Sequence, residues 1–356
     1  MAEKQKFPFA IQNVTEEEDA LIKKYYKAEE AACQHCSDRK ARQCLVGEQL
    51  TRYIRPFVRI GPHGYLWPAG YGDHAADIYN LDVRPDDIWV TSYSRSGTTW
   101  LQELVWLVQN NLDFDTASSI PVSTRYAFIE YPTLASEVRK STPNSNIKGQ
   151  RATEDDYTTL PNLPSPRYVK SHSPLSLLPP NLLDTAKVFH IARDPRDVVV
   201  SYHFMHIMFR YFDQSVQFKE FWELFQKNLI LHAPLEEQVR EAWEQRDHPN
   251  MMFLLYEEMK KDLPAVIDRV CTFLGKEYTK EQKDKLNDYL QFDNMKKKSP
   301  FVSSEDEKKD SELKFMRKGK SGGWVQYFDD QMKKEAEEYM KKYLMCTKLQ
   351  FPDVNS

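Results

Sequence analysis

The apolar positions of this 356-residue chain follow two rhythms. Four short segments, at residues 88–93, 167–172, 187–192 and 251–256, read as buried strands of a parallel sheet. Behind three of them the period changes to that of a helix. After the first run, residues 98–112 space Trp100, Leu101, Leu104, Val105, Leu107 and Val108 into one broad apolar face. After the third, Asp194 is an N-cap and Pro195 has the fixed φ favoured at the first helical position. After the fourth, Asp262 caps a helix that Gly275 stops. Strand, turn and helix in repetition predict an α/β fold: a single domain with a doubly wound parallel sheet flanked by helices.

Three stretches lack that rhythm. Residues 28–56 are charged and hold three closely spaced cysteines, residues 133–166 are rich in Ser, Thr, Pro and Asn, and residues 296–314 alternate charges with serines. The latter two are long for simple connections, and loops of that length are often lids or binding loops. The division expected is an N-terminal extension at 1–56 carrying the cysteine segment, followed by one domain at 57–356.

Composition narrows the class. With 41% hydrophobic and 29% charged residues, the chain supports a sizeable core. A formal net charge of −4 removes the long-range field that nucleic-acid binding requires, so no nucleic-acid partner is expected. No run reaches the roughly 18–20 apolar residues of a membrane span, and the charged N-terminus lacks the apolar centre of a secretory signal. Five cysteines, an odd number without framework spacing, agree with a reducing, cytoplasmic compartment. Cys33, His35, Cys36 and Cys44 fit no standard zinc site, and no metal is expected.

The sharpest local signal is the loop Tyr93-Ser94-Arg95-Ser96-Gly97-Thr98-Thr99-Trp100, set between a predicted strand and a predicted helix. Unpaired N–H groups and the helix dipole make such a junction an anion cradle. Gly97 allows close backbone approach, and Arg95, Ser96, Thr98 and Thr99 add donors. It is not a Walker A loop: the G-x-x-x-x-G-K-[ST] spacing is absent, which argues against a nucleotide kinase or P-loop hydrolase.

Taken in order, SRSGTTW, KSHSPLSLLP, ARDPRDVVVSYHF, FLLYEEM and FMRKGKSGGW resemble the cytosolic sulfotransferase family over nearly all of the chain from about residue 57 onward. The likeness is strongest to insect members, a branch that includes a retinol dehydratase. The resemblance implies 3′-phosphoadenosine 5′-phosphosulfate (PAPS) as co-substrate, released as PAP, and a small-molecule hydroxyl acceptor. Ser96, Gly97, Thr98 and Thr99 would hold the 5′-phosphate. Arg95, standing where the family has lysine, and Lys170 would stabilise charge on the bridging oxygen. His172, at the end of a strand where open α/β sheets place their ligands, would be the general base. Trp100 and Tyr256 would contact adenine. Arg193 and Ser201 would bind the 3′-phosphate, with Arg317, Lys318 and Gly319 closing on it. The developing charge is then met without a metal, unlike the magnesium of kinases.

Two departures stand out. Leu290-Gln291-Phe292 replaces a Thr-Ser-Phe found in many members. The family's short dimer motif is not matched at Val325, Asp329, Asp330 and Lys334, so a monomer or a dimer through another surface is expected. An aromatic, apolar acceptor pocket is expected from residues 57–79, 125–131, 203–212 and the 296–314 lid, with Tyr65, Trp67, Tyr126, Phe128 and Phe209 as wall candidates. Tyr126 matches a tyrosine of the dehydratase branch, which carries the alternative of sulfonation followed by elimination. A catalytically silent nucleotide binder is the remaining alternative, disfavoured by the intact Lys170, His172, Arg193 and Ser201.

Overall fold

A computed structural model of the chain describes residues 5–25, 56–133, 155–209, 211–212, 215–297, 319 and 321–352. The cysteine segment at 33–44 lies outside them, as do Arg317, Lys318 and residues 298–314 of the expected lid.

From the N-terminus, β1 (Ile11–Asn13) leads into α1 (Glu16–Tyr25), and β2 (Phe57–Ile60) and β3 (Tyr65–Pro68) complete an antiparallel sheet in the order β1-β2-β3. Thr15 and Glu18 form a reciprocal cap on α1: the Glu18 amide donates to Thr15 Oγ1 at 3.2 Å, and the Thr15 amide donates to Glu18 Oε2 at 2.9 Å. Glu18 also takes Arg59 of β2 at 2.6 Å, and Ile22 and Tyr25 are buried. Part of the segment expected as an extension is thus built into the fold. A strand of three residues has too few positions to declare a period of two, so β1 left no pattern to read.

All four predicted strands form: β4 (Ile88–Thr91), β6 (Tyr168–Ser171), β7 (Lys187–Ala192) and β8 (Met251–Leu255). A two-residue strand, β5 (Ala127–Phe128), adds to the edge, and the parallel order is β5-β6-β4-β7-β8. The longer helices are α2 (Ala69–Tyr79), α3 (Thr98–Gln109), α4 (Pro195–Met208), α5 (Phe218–Gln226), α6 (Leu235–Glu244), α7 (Leu263–Leu274), α8 (Lys280–Tyr289) and α9 (Asp330–Thr347). Alternation along the strands sends their side chains to opposite layers. Ile88, Val90, Phe189, Ile191 and Leu254 pack on α3 and α7, while Trp89, Val169 and Val188 pack on α2. A third layer gathers Tyr93, Ala192 and Leu255 with α4, α5 and α9. With both faces covered, the sheet is doubly wound as expected. The chain departs to one side of β4 and returns through β7 on the other, which opens a crevice at the carboxyl end of β4.

The capping expectations hold in atomic detail. Asp194 accepts from the Arg196 amide at 2.9 Å, Asp262 accepts from the Ala265 amide at 3.0 Å, and Gly275 takes φ 64°. One difference lies after β8, where a helical turn, Tyr256–Lys261, precedes α7.

At the opposite, amino end of the sheet, Asp87 and Arg167 stand just before β4 and β6 and are almost fully buried. Arg167 donates twice to Asp87, at 2.7 and 2.5 Å, and once to the Asp82 carbonyl at 2.7 Å. Removing one member of such a pair strands a buried charge, at a typical cost of about 3–5 kcal/mol. Arg167→Ala is therefore expected to lower the unfolding free energy by about that amount in urea titration.

Candidate active site

The site is assembled at the carboxyl ends of β4, β6, β7 and β8. After β4 the backbone turns sharply, with Arg95 at φ 71° and Gly97 at φ 104°, before α3 begins at Thr98. Gly97 is the N-cap and offers no side chain to the first turn, which leaves that helix end suited to an anion. A Cβ on Gly97 would lie 2.7 Å from Tyr256 Cδ2, so the tyrosine ring packs directly on the glycine. Tyr256 meets Trp100 edge to face at 5.5 Å and carries the Arg193 guanidinium over its ring at 4.3 Å. Arg193 also donates to the Arg95 carbonyl at 3.3 Å, and Arg95 Nε donates to Ser201 Oγ at 3.0 Å. Six of the sequence-selected positions, Arg95, Gly97, Trp100, Arg193, Ser201 and Tyr256, therefore form one continuous cluster.

The remaining loop residues divide. Ser96 and Thr98 are buried, and the Thr98 hydroxyl is shared with Ser92 Oγ at 2.6 Å, whereas Thr99 is partly exposed. The Trp100 indole donates to the Leu290 carbonyl at 2.9 Å. The departure at 290 is thus a buried core leucine whose backbone, not its side chain, meets the site. Phe292 packs against Gly319, where a Cβ would come within 2.3 Å of its ring and φ is 58°. A side chain at 319 has no room.

His172 follows β6 and is 8% exposed. Its Nδ1–H donates to the Ser92 carbonyl at 2.9 Å, so Nε2 carries the lone pair in the neutral ring. Burial holds its pKa well below the usual imidazole value, helped by the positive Lys170 and the neighbouring His232, against the pull of the Ser92 carbonyl. Lys170 lies on β6 with Nζ 4.1 Å over the Phe128 ring, and Phe128 meets His172 edge to face at 5.5 Å. Among the described residues no group of three or more metal-ligating side chains converges, and no helix is long and apolar enough to cross a membrane.

Of the acceptor-wall candidates, Phe128 touches His172 directly and Trp67 reaches it through His232, at 4.5 Å from Trp67 and 5.6 Å from His172. Tyr65 and Tyr126 are placed otherwise. Tyr65 is fully buried and donates to Glu241 at 2.7 Å. Tyr126 lies in the layer beneath α3 and donates to the Gln102 carbonyl at 2.9 Å. Both serve as core residues with satisfied hydroxyls. Phe209 caps the end of α4 beside Tyr211, at 5.8 Å.

Sequence reasoning passed over His232 and Glu130. His232 adopts φ 71°, accepts or donates at Nδ1 with Ser94 Oγ at 3.0 Å, and is pushed down to about 3 by burial. No local motif marks it. Glu130 had a signal, as a lone acid ending the apolar Ala127-Phe128-Ile129, and it proves to be fully buried beside His172. Glu257 is another buried acid, pushed up to about 7 by burial against the opposing charge of Arg193.

Residues 85–348 match the family described as "Sulfotransferase domain". The mouse protein "Sulfotransferase 1 family member D1" is 31% identical over 301 residues, covering 83% of this chain and 95% of its own length. The firefly (Photinus pyralis) "Luciferin sulfotransferase" is 30% identical over 83% of each chain. Two solved structures of retinol dehydratase, one in complex with androsterone and PAP and the other with retinol and PAP, are 34% and 36% identical. They superpose with TM-scores of 0.82 and 0.81 over 98% of this chain, and over 99% and 100% of theirs. The chain belongs to the sulfotransferase family and is a sulfotransferase enzyme.

Proposed function

We propose that the protein transfers the sulfuryl group of PAPS to the hydroxyl of a small apolar alcohol or phenol, with His172 as general base. The observation that carries this reading is the tautomer of His172: Nδ1–H is held by the Ser92 carbonyl at 2.9 Å, and the basic Nε2 is presented beside Lys170. The PAP bound in both retinol dehydratase structures supports the nucleotide. The fit of this chain's own residues supports it too. A side-chain-free helix N-terminus, Gly97 under Tyr256, and the Arg95–Arg193–Ser201 cluster suit a doubly phosphorylated adenine nucleotide.

In this mechanism the acceptor oxygen attacks sulfur as its proton passes to His172 Nε2. The bond from sulfur to the bridging phosphate oxygen breaks, and PAP leaves with that electron pair. Arg95 and Lys170 stabilise the negative charge gathering on the bridging oxygen, a duty that fixed cations perform well in a site shielded from water. Trp100 and Tyr256 hold adenine, and Arg193 and Ser201 hold the 3′-phosphate. Arg317, Lys318 and Gly319 are assigned to the same phosphate by family resemblance. Phe128 and Trp67 form the apolar wall nearest His172, in keeping with the androsterone and retinol bound in the retinol dehydratase structures. The protein is proposed to work in the cytoplasm.

A second reading, sulfonation followed by loss of sulfate, is favoured by the extent of the likeness to retinol dehydratase. Tyr126 is not assigned to that step, because its hydroxyl already donates within the core. Incubation with retinol and with androsterone separates the two readings: mass spectrometry finds a sulfate ester for the first and a dehydrated hydrocarbon from retinol for the second.

With labelled PAPS and a phenol and sterol panel, label is expected on acceptor, and His172→Ala is expected to lower kcat by ~10²–10⁴-fold, the usual worth of a general base. Undiminished transfer by the variant sinks the role of His172. Because the base is active when unprotonated and its pKa is depressed, kcat/KM is expected to stay level as pH falls through 6.5 and to decline only at more acid pH. Gly97→Ala forces a methyl against Tyr256 at a left-handed φ, so PAP binding measured by calorimetry is expected to weaken by ~10-fold or more while the protein stays folded.

A further inference from the structure

His172 meets the acceptor in the proposed mechanism, so the protein itself must hold its direction. Its ring is tied at Nδ1, yet a ring tether restrains an imidazole only if the backbone beneath it is also fixed. The residues on either side of it show how this is done. Ser171 and Ser173 are two apart at the end of β6, and in extended chain such positions point the same way while the residue between them points oppositely. Both serine hydroxyls end on one atom, Oε1 of Glu130: Ser171 donates in a short contact and Ser173 donates at 2.7 Å. The same oxygen takes the His172 amide at 3.1 Å and the Ser173 amide at 3.0 Å. On the other side of the peptide, the His172 carbonyl accepts from Gln238 Nε2 of α6 at 2.8 Å.

We infer that Glu130 is a positioning residue for His172, acting as a four-fold hydrogen-bond acceptor that locks the Ser171–Ser173 turn and so aims the imidazole away from it. The inference rests on the reading of His172 as base and goes beyond it by naming what aims that base. Glu130 is fully buried just after β5, and its other oxygen, Oε2, is buried with no partner among the described residues. All four bonds therefore go to one oxygen. An amide in place of the carboxyl can present the same oxygen to the same four donors and set its NH2 where Oε2 stands. The role demands an acceptor at this place rather than a charge. The hydroxyl of Tyr71, 3.3 Å from Ser173 Oγ, extends the network to α2.

The test compares Glu130→Ala, Glu130→Gln and His172→Ala, together with the double variant Glu130→Ala/His172→Ala. Each is assayed with an aliphatic alcohol, which needs a base, and with a nitrophenol, which is largely ionised without one. Misplacing a reacting group by about 1 Å costs ~10²-fold, so Glu130→Ala is expected to lose about that much kcat on the alcohol and far less on the nitrophenol. PAP affinity by calorimetry is expected to stay within about twofold, as for a site outside the nucleotide cluster. Glu130→Gln is expected to retain most of the alcohol activity. In the His172→Ala background, loss of Glu130 is expected to add little, since its effect runs through the imidazole. Additive losses in the double variant, equal losses on both acceptors, or a Glu130→Gln as damaged as the alanine variant each overturn the inference. Should Glu130→Ala fail to fold, Ser173→Ala removes one donor from the hub and is expected to give the same acceptor pattern at smaller size; equal loss on both acceptors again overturns it. If His172→Ala alone keeps full activity on the alcohol, the base reading fails, and the role of Glu130 with it.

Discussion

Everything in the site depends on β4 being hydrogen-bonded in parallel to β6 on one side and β7 on the other. Register pairs Thr91 with Ser171 and with His190, so the next residues along, Ser92 and His172, emerge side by side. The Ser92 amide donates to the Ser171 carbonyl at 3.3 Å, and one step further the His172 ring donates back to the Ser92 carbonyl. The imidazole is therefore held by an extension of the sheet's own ladder. Parallel strands also end on one edge, which brings Arg95 after β4, Arg193 after β7 and Tyr256 after β8 to the same place. An antiparallel neighbour would have carried one of these groups to the far end. The buried Asp87–Arg167 pair anchors the amino ends of β4 and β6, at a distance from any chemistry.

Burial then decides the charge state of what the strands bring together. His172, His190, His206 and His232 are all pushed toward the neutral form, chiefly by loss of water. The same removal of water drives Glu130 and Glu257 upward. The positive charges of Lys170 and Arg95 further disfavour an imidazolium at His172. Neutral bases among fixed cations suit a reaction in which negative charge grows on a leaving group and a proton must be taken from a neutral hydroxyl. The aromatic faces of Phe128, Tyr256 and Trp324 carry Lys170, Arg193 and Arg196 and supply the cations with partners that water no longer provides.

The central sheet was legible because β4, β7 and β8 concentrate apolar residues, while β6 (Tyr168–Ser171) carries fewer. The turn at Arg95–Gly97 was legible because glycine, hydroxyls and a following helix are local facts. Caps at Asp194 and Asp262 were legible for the same reason, since a cap is decided within four residues. The strands β1 and β5 were not, being too short for any period. For Tyr65 and Tyr126 the sequence does not separate a wall from a core position, because aromatic residues look alike whether they line a cavity or fill a core. Only their partners, Glu241 and the Gln102 carbonyl, distinguish the two.

By itself, then, the chain determined its fold class, the position of its glycine-bearing strand-to-helix turn and the family to which it belongs, all properties carried by neighbouring residues. The tertiary structure alone decided the rest. It made Leu290 a backbone acceptor for Trp100, set His232 between Trp67 and His172, and brought Glu130 to a turn forty residues away in the chain. The physical reason is that a side chain's role in a site is fixed by what it is buried against. Burial is a property of the packed sheet and its layers, and no local pattern of residues contains it.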